Sequence, residues 1–338
     1  MKLGIIGCGM IVQEFLPELI KMDGMKIKVI MSTLSGREQA WKLCKQYGIP
    51  SVVTDFKELE AAGIDTVYIA VPNFLHFTYC EQALKAGLHV ICEKPLTAND
   101  QEAQSLAELA ESRHLCLFEA ITNQYLGTYL KIRDWLPRIG AVKIVQCQYT
   151  QYSRRYDRFK EGEVLPVFDP AKAGGALMDL GLYCLHFVIG LFGRPDKVCY
   201  YPNIERGIDT SGLMVMSYEG FQALCLAAKD CKGNAFSMIQ GDKGLIRCES
   251  APNTLGKVRL ELNDGTQEEF DDGSANVRMV PEFEAFVKAI NHNNYDFAQK
   301  MLHQSLEVSR VQTEARLAAG ICFPGEKVLA DAGKTWQK

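Results

Sequence analysis

The sequence predicts an α/β protein in two parts, a doubly wound parallel sheet followed by an α+β region with a mostly antiparallel sheet. In the first part, β-rich runs alternate with longer amphipathic stretches, which is typical of parallel strands joined by helices. In the second part, strand-like runs follow one another with turn residues between them, as in a meander of hairpins. The expected boundary gives two domains, residues 1–120 and 121–338.

The first part contains apolar runs suited to buried strands, and helix-like stretches lie between them. Continuous apolar strands indicate a parallel sheet that is covered on both faces. The predicted strands are Lys2–Gly7, Lys26–Met31, Thr66–Val71, Leu88–Cys92 and Leu115–Phe118, and the predicted helices lie near 10–22, 36–48, 74–86 and 99–113.

The second part has strand-like runs from about residue 196 onward. Helices near 175–192, 280–291 and 297–319 are expected to cover only part of this sheet, and an open face with apolar positions would favour dimerisation. The predicted strands are Lys197–Asn203, Gly212–Tyr218, Gln222–Ala228, Ala235–Gly241, Gly244–Cys248 and Lys257–Leu262.

The composition is that of an ordinary soluble globular protein, with 47% hydrophobic and 23% charged residues. A net charge of −4 argues against nucleic acid and anionic membranes as partners. No apolar run reaches the roughly 18 residues that span a bilayer. The N-terminal apolar stretch runs directly into a glycine motif, so we expect no signal peptide. The 12 cysteines lack metal-ligand spacing, which predicts buried thiols in a reducing cytoplasm and no metal site.

The first predicted strand ends in a glycine motif, G-I-I-G-C-G-M-I-V at residues 4–12. Gly7 permits a tight turn, and Gly9 lets a pyrophosphate approach the backbone. The next helix begins there, so the unpaired N–H groups around Met10 and Ile11 and the positive end of the helix dipole favour an anion. Glycines often make turns only, but after a strand and before a helix they predict a dinucleotide-binding Rossmann domain.

The residues after the second predicted strand favour NADP over NAD as the cofactor. An NAD enzyme usually places an acid there for the ribose hydroxyls, whereas this chain reads M-S-T-L-S-G-R at residues 31–37. Ser32 and Thr33 can hydrogen-bond a 2′-phosphate, and Arg37 can neutralise it. The alternative is that Arg37 is simply an exposed residue at a helix start, and NAD stays open as the cofactor.

A second strand end carries the sequence A-V-P-N-F-L-H, residues 70–76. In doubly wound sheets, ligands lie outside the carboxyl ends of the strands, so this segment should face the same crevice as the glycine motif. The residues expected to line the cofactor crevice here are Val71, Pro72, Asn73 and His76.

A third strand end reads E-K-P, residues 93–95. A partly desolvated lysine in this position is a candidate for proton transfer and for orienting a substrate oxygen. We therefore expect Glu93 and Lys94 at the cofactor, with Lys94 also at the substrate. A salt bridge between these two residues is the alternative.

A predicted helix that begins after Gly174-Gly175 carries three polar side chains. Asp179 and Tyr183 lie four residues apart, hence on one face, and His186 continues the stripe. A carboxylate, a phenol and an imidazole on one face suit a polar pocket for a small-molecule substrate. The alternative is an ordinary helix with buried Tyr and His tips.

Four motifs occur in one order along nearly the whole chain: G-x-G at 7–9, A-V-P-N-x-x-H at 70–76, G-L-H-V-I-C-E-K-P-L at 87–96 and G-G-A-L-M-D-L-G-L-Y at 174–183. Together they resemble the Gfo/Idh/MocA oxidoreductase family, which includes glucose-fructose oxidoreductase, inositol dehydrogenase and dimeric dihydrodiol dehydrogenase. The resemblance implies a Rossmann domain and a C-terminal domain with an open, mostly antiparallel sheet. That sheet usually serves as an oligomer interface, so we expect a homodimer or homotetramer.

The resemblance also implies roles for individual residues. The family's E-K-P lysine, here Lys94, contacts the nicotinamide ribose and the substrate, and its bond to Pro95 is often cis. Tyr183 stands where many members have His, which is similar to the glucose-fructose oxidoreductase and dihydrodiol dehydrogenase branch. A free tyrosine titrates near pH 10, and a nearby ammonium such as that of Lys94 would lower its pKa.

The predicted reaction is hydride transfer between the nicotinamide and a secondary alcohol carbon of a sugar, polyol or related compound. Tyr183 would exchange the hydroxyl proton and Lys94 would position the oxygen. Asp179 or His186 would bind a neighbouring hydroxyl.

One segment departs from dihydrodiol-type relatives, and a second is unusually rich in arginine and tyrosine. Those relatives typically carry Arg and Pro after Glu-Ala, where this chain has Gln124 and Gly127, so their aromatic substrate class is in doubt; Gln124 is a candidate substrate contact. The segment Y-T-Q-Y-S-R-R-Y-D-R-F, residues 149–159, offers Arg154 or Arg155 to a carboxylate or phosphate. A solvated loop or oligomer contact is the alternative.

Two other functions stay open from the sequence. One is a trans-dihydrodiol-type dehydrogenase. The other is a non-catalytic NAD(P)-binding sensor, since the family also contains transcriptional regulators. The presence of both Lys94 and Tyr183 argues against a sensor, which has no reason to keep a proton donor and a lysine.

Overall fold

A computed structural model describes residues 1–326 of the protein in two compact units. One unit comprises Met1–Ala120 and Met279–Ser305, and the other comprises Ile121–Arg278 and the chain from Leu306 onward. The structure thus adds residues 279–305 to the expected first domain. Residues 327–338 of the expected second domain lie outside the described residues.

The described residues form strands and helices with the following bounds. The strands are β1 (Lys2–Ile6), β2 (Lys26–Met31), β3 (Ser51–Val53), β4 (Thr66–Ile69), β5 (His89–Glu93), β6 (Leu117–Ala120), β7 (Val142–Thr150), β8 (Lys197–Glu205), β9 (Ile208–Tyr218), β10 (Phe221–Ala228), β11 (Phe236–Gly241), β12 (Gly244–Cys248), β13 (Val258–Leu262) and β14 (Gln267–Phe270). The α-helices are α1 (Met10–Leu19), α2 (Arg37–Tyr47), α3 (Phe56–Glu60), α4 (His76–Lys85), α5 (Asp100–Ser112), α6 (Gly127–Trp135), α7 (Arg154–Lys160), α8 (Leu182–Phe192), α9 (Val280–Asn291) and α10 (Tyr295–Ala318).

The first unit is built on a six-stranded parallel sheet in the order β3-β2-β1-β4-β5-β6. This is the Rossmann strand order, and the order reverses between β1 and β4, where such sheets bind their ligands. All four residues of β4 are buried, as the continuous apolar pattern predicts. Strand β3 has only three residues, too short a run for the pattern to reveal.

Helix α9 packs within the first unit, although the sequence pattern predicted that it covers the antiparallel sheet. Its Phe283 ring lies 4.8 Å from that of Phe15 and meets Tyr68 edge-on at 5.1 Å. Its Phe286 ring stacks on Phe118 at 4.6 Å. The prediction was wrong because an amphipathic pattern shows that a helix buries one face but not which sheet it covers.

The second unit contains an eight-stranded sheet in the order β14-β13-β12-β11-β7-β10-β9-β8. The predicted open, mostly antiparallel sheet is confirmed, but it is not a simple meander. Strand β7, which comes earliest in the chain, lies between β11 and β10 and runs parallel to β10. The carboxyl ends of β7 and β10 therefore meet at one edge of the sheet.

The two faces of this sheet differ in exposure. Cys147 and Cys225, register partners on β7 and β10, are buried on one face. The other face exposes Ile144, Tyr201 and Leu213, with exposed fractions of 46%, 39% and 37%. Apolar side chains on a sheet face at this exposure are candidates for an interface.

Within residues 1–326, one helical stretch, Pro170–Phe192, is long and apolar enough to cross a membrane. However, 78% of its most apolar window is buried inside the structure, as in the core helix of a soluble protein. The stretch is therefore accounted for by the core of the second unit.

Candidate active site

The loop between β1 and α1 has the shape that a dinucleotide requires. Gly7 has a φ of +111°, and a Cβ on it would lie 2.3 Å from the carbonyl oxygen of Ala70, so only glycine fits there. A Cβ on Gly9 would meet nothing within 4 Å, and no side chain caps the first turn of α1. An open approach to an uncapped helix N-terminus fits a pyrophosphate.

In the loop between β2 and α2, one of the residues predicted to bind the 2′-phosphate is buried and two are exposed. Ser32 is buried, and its Oγ lies 3.2 Å from Sγ of Cys8. Thr33 and Arg37 are exposed, and the Thr33 hydroxyl lies 3.0 Å from that of exposed Ser35. The structure thus turns Ser32 inward and brings Ser35, which the sequence analysis missed, to the surface beside Thr33.

His76 lies behind the strand ends rather than in an open crevice. It is fully buried, and its ring nitrogens lie 2.7 Å from the carbonyl oxygen of Pro95 and 2.9 Å from that of Val71. Burial lowers the pKa of His76. The ring links the loop after β4 to the loop after β5, so its place suits positioning rather than direct contact. Of the other predicted residues here, Pro72 is exposed and Asn73 is half-buried.

The E-K-P segment is held by two groups that the sequence analysis did not select. The Lys94–Pro95 peptide is cis, as the resemblance implied, and Lys94 is half-buried. The carboxylate of buried Glu119 accepts the N–H of Leu96 at 2.9 Å. The sequence did contain a signal for Glu119, because a charged residue stands there within an otherwise apolar strand. A buried acid that accepts a backbone N–H explains that pattern.

Glu93 is also held from within the first unit. It accepts the hydroxyl of Tyr68 at 2.5 Å. Burial and the neighbouring Glu93 carboxylate keep the pKa of Tyr68 well above its usual range. The phenol therefore remains a donor, and it fixes the side chain that precedes Lys94.

In the second unit, Gly175, the second glycine of the pair, makes room for a buried carboxylate. Gly175 has a φ of +116°, and a Cβ on it would lie 2.2 Å from Oδ1 of Asp209. Asp209 accepts the N–H of Leu177 and the hydroxyl of Tyr200, each at 2.7 Å. Burial raises the pKa of Asp209 to about 6. Asp209 thus caps the segment that carries the predicted catalytic residues, although it lies over 30 positions away in the sequence.

The predicted helix near 175–192 is two segments, a π-helical turn at Leu177–Gly181 followed by α8. A π turn widens the spacing between side chains and often marks functional sites. Asp179 lies in the turn, and its side chain is 31% exposed and paired with Lys229. Tyr183 is 6% exposed, and its ring centroid lies 6.0 Å from that of Tyr149.

His186 does not continue this stripe toward solvent, because its side chain is fully buried in the core of the second unit. Gln124, predicted as a substrate contact, is also buried, and its amide donates to the carbonyl of His186 at 2.5 Å. Its neighbour Asn123 donates to the carbonyl of Tyr183 at 2.9 Å. These amides hold the backbone of α8. Arg154, in contrast, is exposed at the start of α7.

Across residues 1–326, no group of three or more His, Cys, Asp or Glu side chains has an arrangement that could hold a metal ion.

Two family models match the chain in sequence. The model of the Gfo/Idh/MocA oxidoreductase family with an NAD-binding Rossmann fold matches residues 1–121, and that of the GFO/IDH/MocA C-terminal domain matches residues 129–247. The chain therefore belongs to the Gfo/Idh/MocA oxidoreductase family. The predicted Rossmann fold and the predicted class, a nicotinamide-dependent oxidoreductase, are confirmed.

Particular relatives extend this likeness over nearly the whole chain. The scyllo-inositol 2-dehydrogenase (NADP(+)) IolU of Bacillus subtilis (strain 168) is 30% identical over 328 residues, which cover 96% of this chain and 99% of that protein. The trans-1,2-dihydrobenzene-1,2-diol dehydrogenase of Mus musculus is 24% identical over 97% of this chain and 99% of its own. The solved structure of KijD10, a 3-ketoreductase from Actinomadura kijaniata, in complex with NADP and TDP-benzene shares the fold. Its TM-score is 0.80 at 21% identity, over 94% of this chain and 97% of that one.

Proposed function

We propose that the protein is an NADP-dependent dehydrogenase or reductase that acts on a secondary alcohol or carbonyl of an inositol, sugar or related polyol. The observation that carries the proposal is the 30% identity, over 96% of the chain, to an NADP-dependent inositol dehydrogenase. A D-xylose 1-dehydrogenase (NADP(+)) of Haloferax volcanii, 28% identical over 86% of the chain, supports the same substrate class.

The cofactor preference rests on the exposed groups after β2. Thr33, Ser35 and Arg37 offer two hydroxyls and a guanidinium to a 2′-phosphate, and charge-assisted bonds of this kind are strong. Gly7 and Gly9 would admit the pyrophosphate at the start of α1, beside Met10 and Ile11. When bound, the nicotinamide accepts or supplies the hydride.

The remaining chemistry belongs to side chains of this chain. As a phenolate, Tyr183 takes the hydroxyl proton in the oxidation direction, and as a phenol it returns that proton in the reduction direction. Its burial at 6% exposure keeps bulk water away from the transfer. The ammonium of Lys94 orients the reacting oxygen and stabilises negative charge on it. Asp179 accepts a hydrogen bond from a substrate hydroxyl, which fixes the reacting carbon.

The test begins with cofactor binding. The purified protein is titrated with NADPH and NADH while the fluorescence of the reduced nicotinamide is followed, and NADPH should bind at least about tenfold more tightly. The complex is then challenged with inositols, sugars and diols, and turnover is read from nicotinamide absorbance. Turnover of a polyol is the expected result.

Variants then test the assigned roles. Lys94→Ala and Tyr183→Phe should each lower kcat by about 100-fold or more while the affinity for NADPH changes little. Tyr152→Phe, a matched change at an exposed tyrosine, should leave kcat unchanged. Full turnover by Lys94→Ala or Tyr183→Phe would contradict the assigned chemistry.

The likeness to a dihydrodiol dehydrogenase over 97% of the chain favours a second candidate function, the oxidation of trans-diols of cyclic hydrocarbons. Preferential turnover of such diols over inositols would select it. Tight NADPH binding without turnover across the whole panel would instead favour a cofactor sensor.

We also propose that the protein forms a homodimer or homotetramer through the open face of its antiparallel sheet. Exposed Ile144, Tyr201 and Leu213 on that face support this proposal. In sedimentation velocity, Leu213→Glu should shift the assembly toward monomer, while Val164→Glu, at an exposed position outside the sheet, should not. The twelve free thiols support a reducing cytoplasm as its compartment.

A further inference from the structure

Asp179 has an ionic partner that the sequence motif does not contain. The ammonium of Lys229 donates to Oδ2 of Asp179, and the pair is markedly asymmetric in exposure. The lysine side chain is 4% exposed, whereas the aspartate side chain is 31% exposed. The buried cation thus supports a carboxylate that still reaches solvent.

The backbone of Lys229 is fixed from two sides. Its N–H donates to the carbonyl of Thr210 at 2.8 Å, and its own carbonyl accepts the N–H of Ser153 at 2.8 Å. Lys229 directly follows β10, at the edge where the carboxyl ends of β7 and β10 meet. The sheet therefore sets the position of the ammonium.

The next residue strengthens this anchor. Oδ2 of Asp230 accepts the hydroxyls of Thr210 and Ser211, at 2.8 and 2.7 Å. The turn after β10 is thus tied to β9 by both backbone and side-chain bonds. A lysine held in this way cannot follow Asp179 if the π turn moves, so it selects one position of the carboxylate.

Stability alone does not explain such a pair. Burying an ammonium carries a large desolvation penalty, and replacing a buried ion pair by apolar residues is often neutral or stabilising. If the pair served only packing, the Asp179 side chain would have no need to remain 31% exposed. A charged group held in a fixed orientation by a buried partner is instead the arrangement that precise recognition requires.

We propose that Lys229 is a positioning residue that holds the Asp179 carboxylate in one orientation, so that it accepts a hydrogen bond from a hydroxyl next to the reacting carbon. This rests on the proposed function and narrows it to substrates with vicinal hydroxyls. A site built to accept a hydroxyl hydrogen bond discriminates strongly against an analogue that lacks the hydroxyl.

The experiment compares scyllo-inositol with cyclohexanol, which keeps one alcohol and lacks its neighbours. Lys229→Met should raise KM for scyllo-inositol by about tenfold or more, with a much smaller change for cyclohexanol. Lys229→Arg, which keeps the charge, should recover most of the loss. Lys232→Met, at an exposed lysine three residues on, is the matched control and should behave as wild type.

The double variant Lys229→Met/Asp179→Asn guards against a folding defect, since it leaves no buried charge unpaired. If Lys229 acts through Asp179, the preference for scyllo-inositol over cyclohexanol should be no weaker in the double variant than in Asp179→Asn alone. The proposal would be overturned if Lys229→Met raised KM equally for both compounds, or if Lys229→Arg did not recover the loss. Either result would leave the oxidoreductase function unaffected.

Calorimetric binding of scyllo-inositol to the NADP-loaded protein separates the two proposals when turnover fails. Binding by wild type that Lys229→Met weakens, without turnover of any inositol, sugar or diol in the panel, would support the role of Lys229 and reject the enzyme function. A wild-type protein that turns over cyclohexanol but neither binds nor turns over any vicinal diol, inositol or sugar in the panel would overturn the vicinal-hydroxyl proposal.

Discussion

Gly175 lies so close to Asp209 that a β-carbon on the glycine would sit 2.2 Å from the carboxylate oxygen Oδ1. The glycine also has a φ of +116°, which L side chains rarely adopt. Through its other oxygen, Asp209 binds the N–H of Leu177 at the start of the π turn that carries Asp179. Gly175 is therefore required by the position of a carboxylate that holds a candidate catalytic segment.

Gly175→Ala should destabilise the protein more than backbone strain alone would. Gly162 is the matched control, since its φ is +103° but a Cβ there meets nothing within 4 Å. We expect Gly162→Ala to cost about 1–3 kcal/mol through the positive φ, and Gly175→Ala to cost clearly more because Asp209 must also move. Urea unfolding of the two variants measures the difference. Equal decreases in the free energy of unfolding of the two variants would mean that Asp209 can move aside at no energetic cost.

Gly9→Ala should spare the fold and harm cofactor binding. The φ of Gly9 is −70° and its Cβ would point into open space, so the free energy of unfolding should change by less than about 0.5 kcal/mol. The added methyl would occupy the approach of a pyrophosphate, and NADPH affinity should fall by about tenfold or more. Fluorescence titration and thermal unfolding are the two measurements.

Gly7→Ala is the contrasting variant for that prediction. A Cβ at position 7 would lie 2.3 Å from the carbonyl oxygen of Ala70. The Gly7→Ala protein should therefore unfold more readily than the Gly9→Ala protein. NADPH binding by Gly9→Ala at wild-type affinity would place the pyrophosphate elsewhere.

Glu119→Ala should reduce turnover through the E-K-P segment. The carboxylate of Glu119 is the acceptor for the N–H of Leu96, and without it that donor is left buried and the segment loosens. We expect kcat to fall by about tenfold or more. Glu119→Gln keeps a side-chain acceptor and should retain most activity. Equal kcat values for the alanine and glutamine variants would show that the bond does not support catalysis.

Asp209 should leave a signature in the pH dependence of stability. Its pKa is raised by burial from 3.8 to about 6, so the native state binds this proton more tightly than the unfolded chain does. Its contribution is therefore most favourable below about pH 4 and is lost as the pH rises to about 6. A pKa difference of about two units between the native and unfolded states changes the free energy of unfolding by roughly 3 kcal/mol.

The comparison with Asp209→Asn isolates that signature, because other titrating groups are common to both proteins. The stability of wild type relative to the variant should decrease by roughly 3 kcal/mol between pH 4 and pH 7, as measured by urea unfolding. A difference that stays constant with pH would show that Asp209 remains ionised throughout.

The sequence was most informative where a local pattern has one structural meaning. The alternation of apolar strands and amphipathic helices predicted the parallel sheet, and the glycine loop at 7–9 predicted its ligand-binding edge. The four motifs together identified the family. The predictions of the parallel sheet and of the family are confirmed, because strand period, helix period and turn chemistry are properties of neighbouring residues. The ligand-binding edge stays a prediction.

The sequence could not predict which distant groups support those motifs. Glu119 beneath the E-K-P segment, Asp209 against Gly175 and Lys229 beside Asp179 are all separated from their partners along the chain. The inward turn of Ser32 depends on Cys8 from another loop, and the burial of His76 and His186 depends on packing. Each is decided by contacts between elements, which periodicity does not record.

By itself, then, the sequence determined the two kinds of sheet and the family, because these follow from short-range pattern and motif order. Only the tertiary structure decided that α9 packs with the Rossmann unit, that β7 lies beside β10, and that a buried lysine supports Asp179. The physical reason is that burial and charge pairing depend on which elements meet in space, and many pairings are compatible with one local pattern.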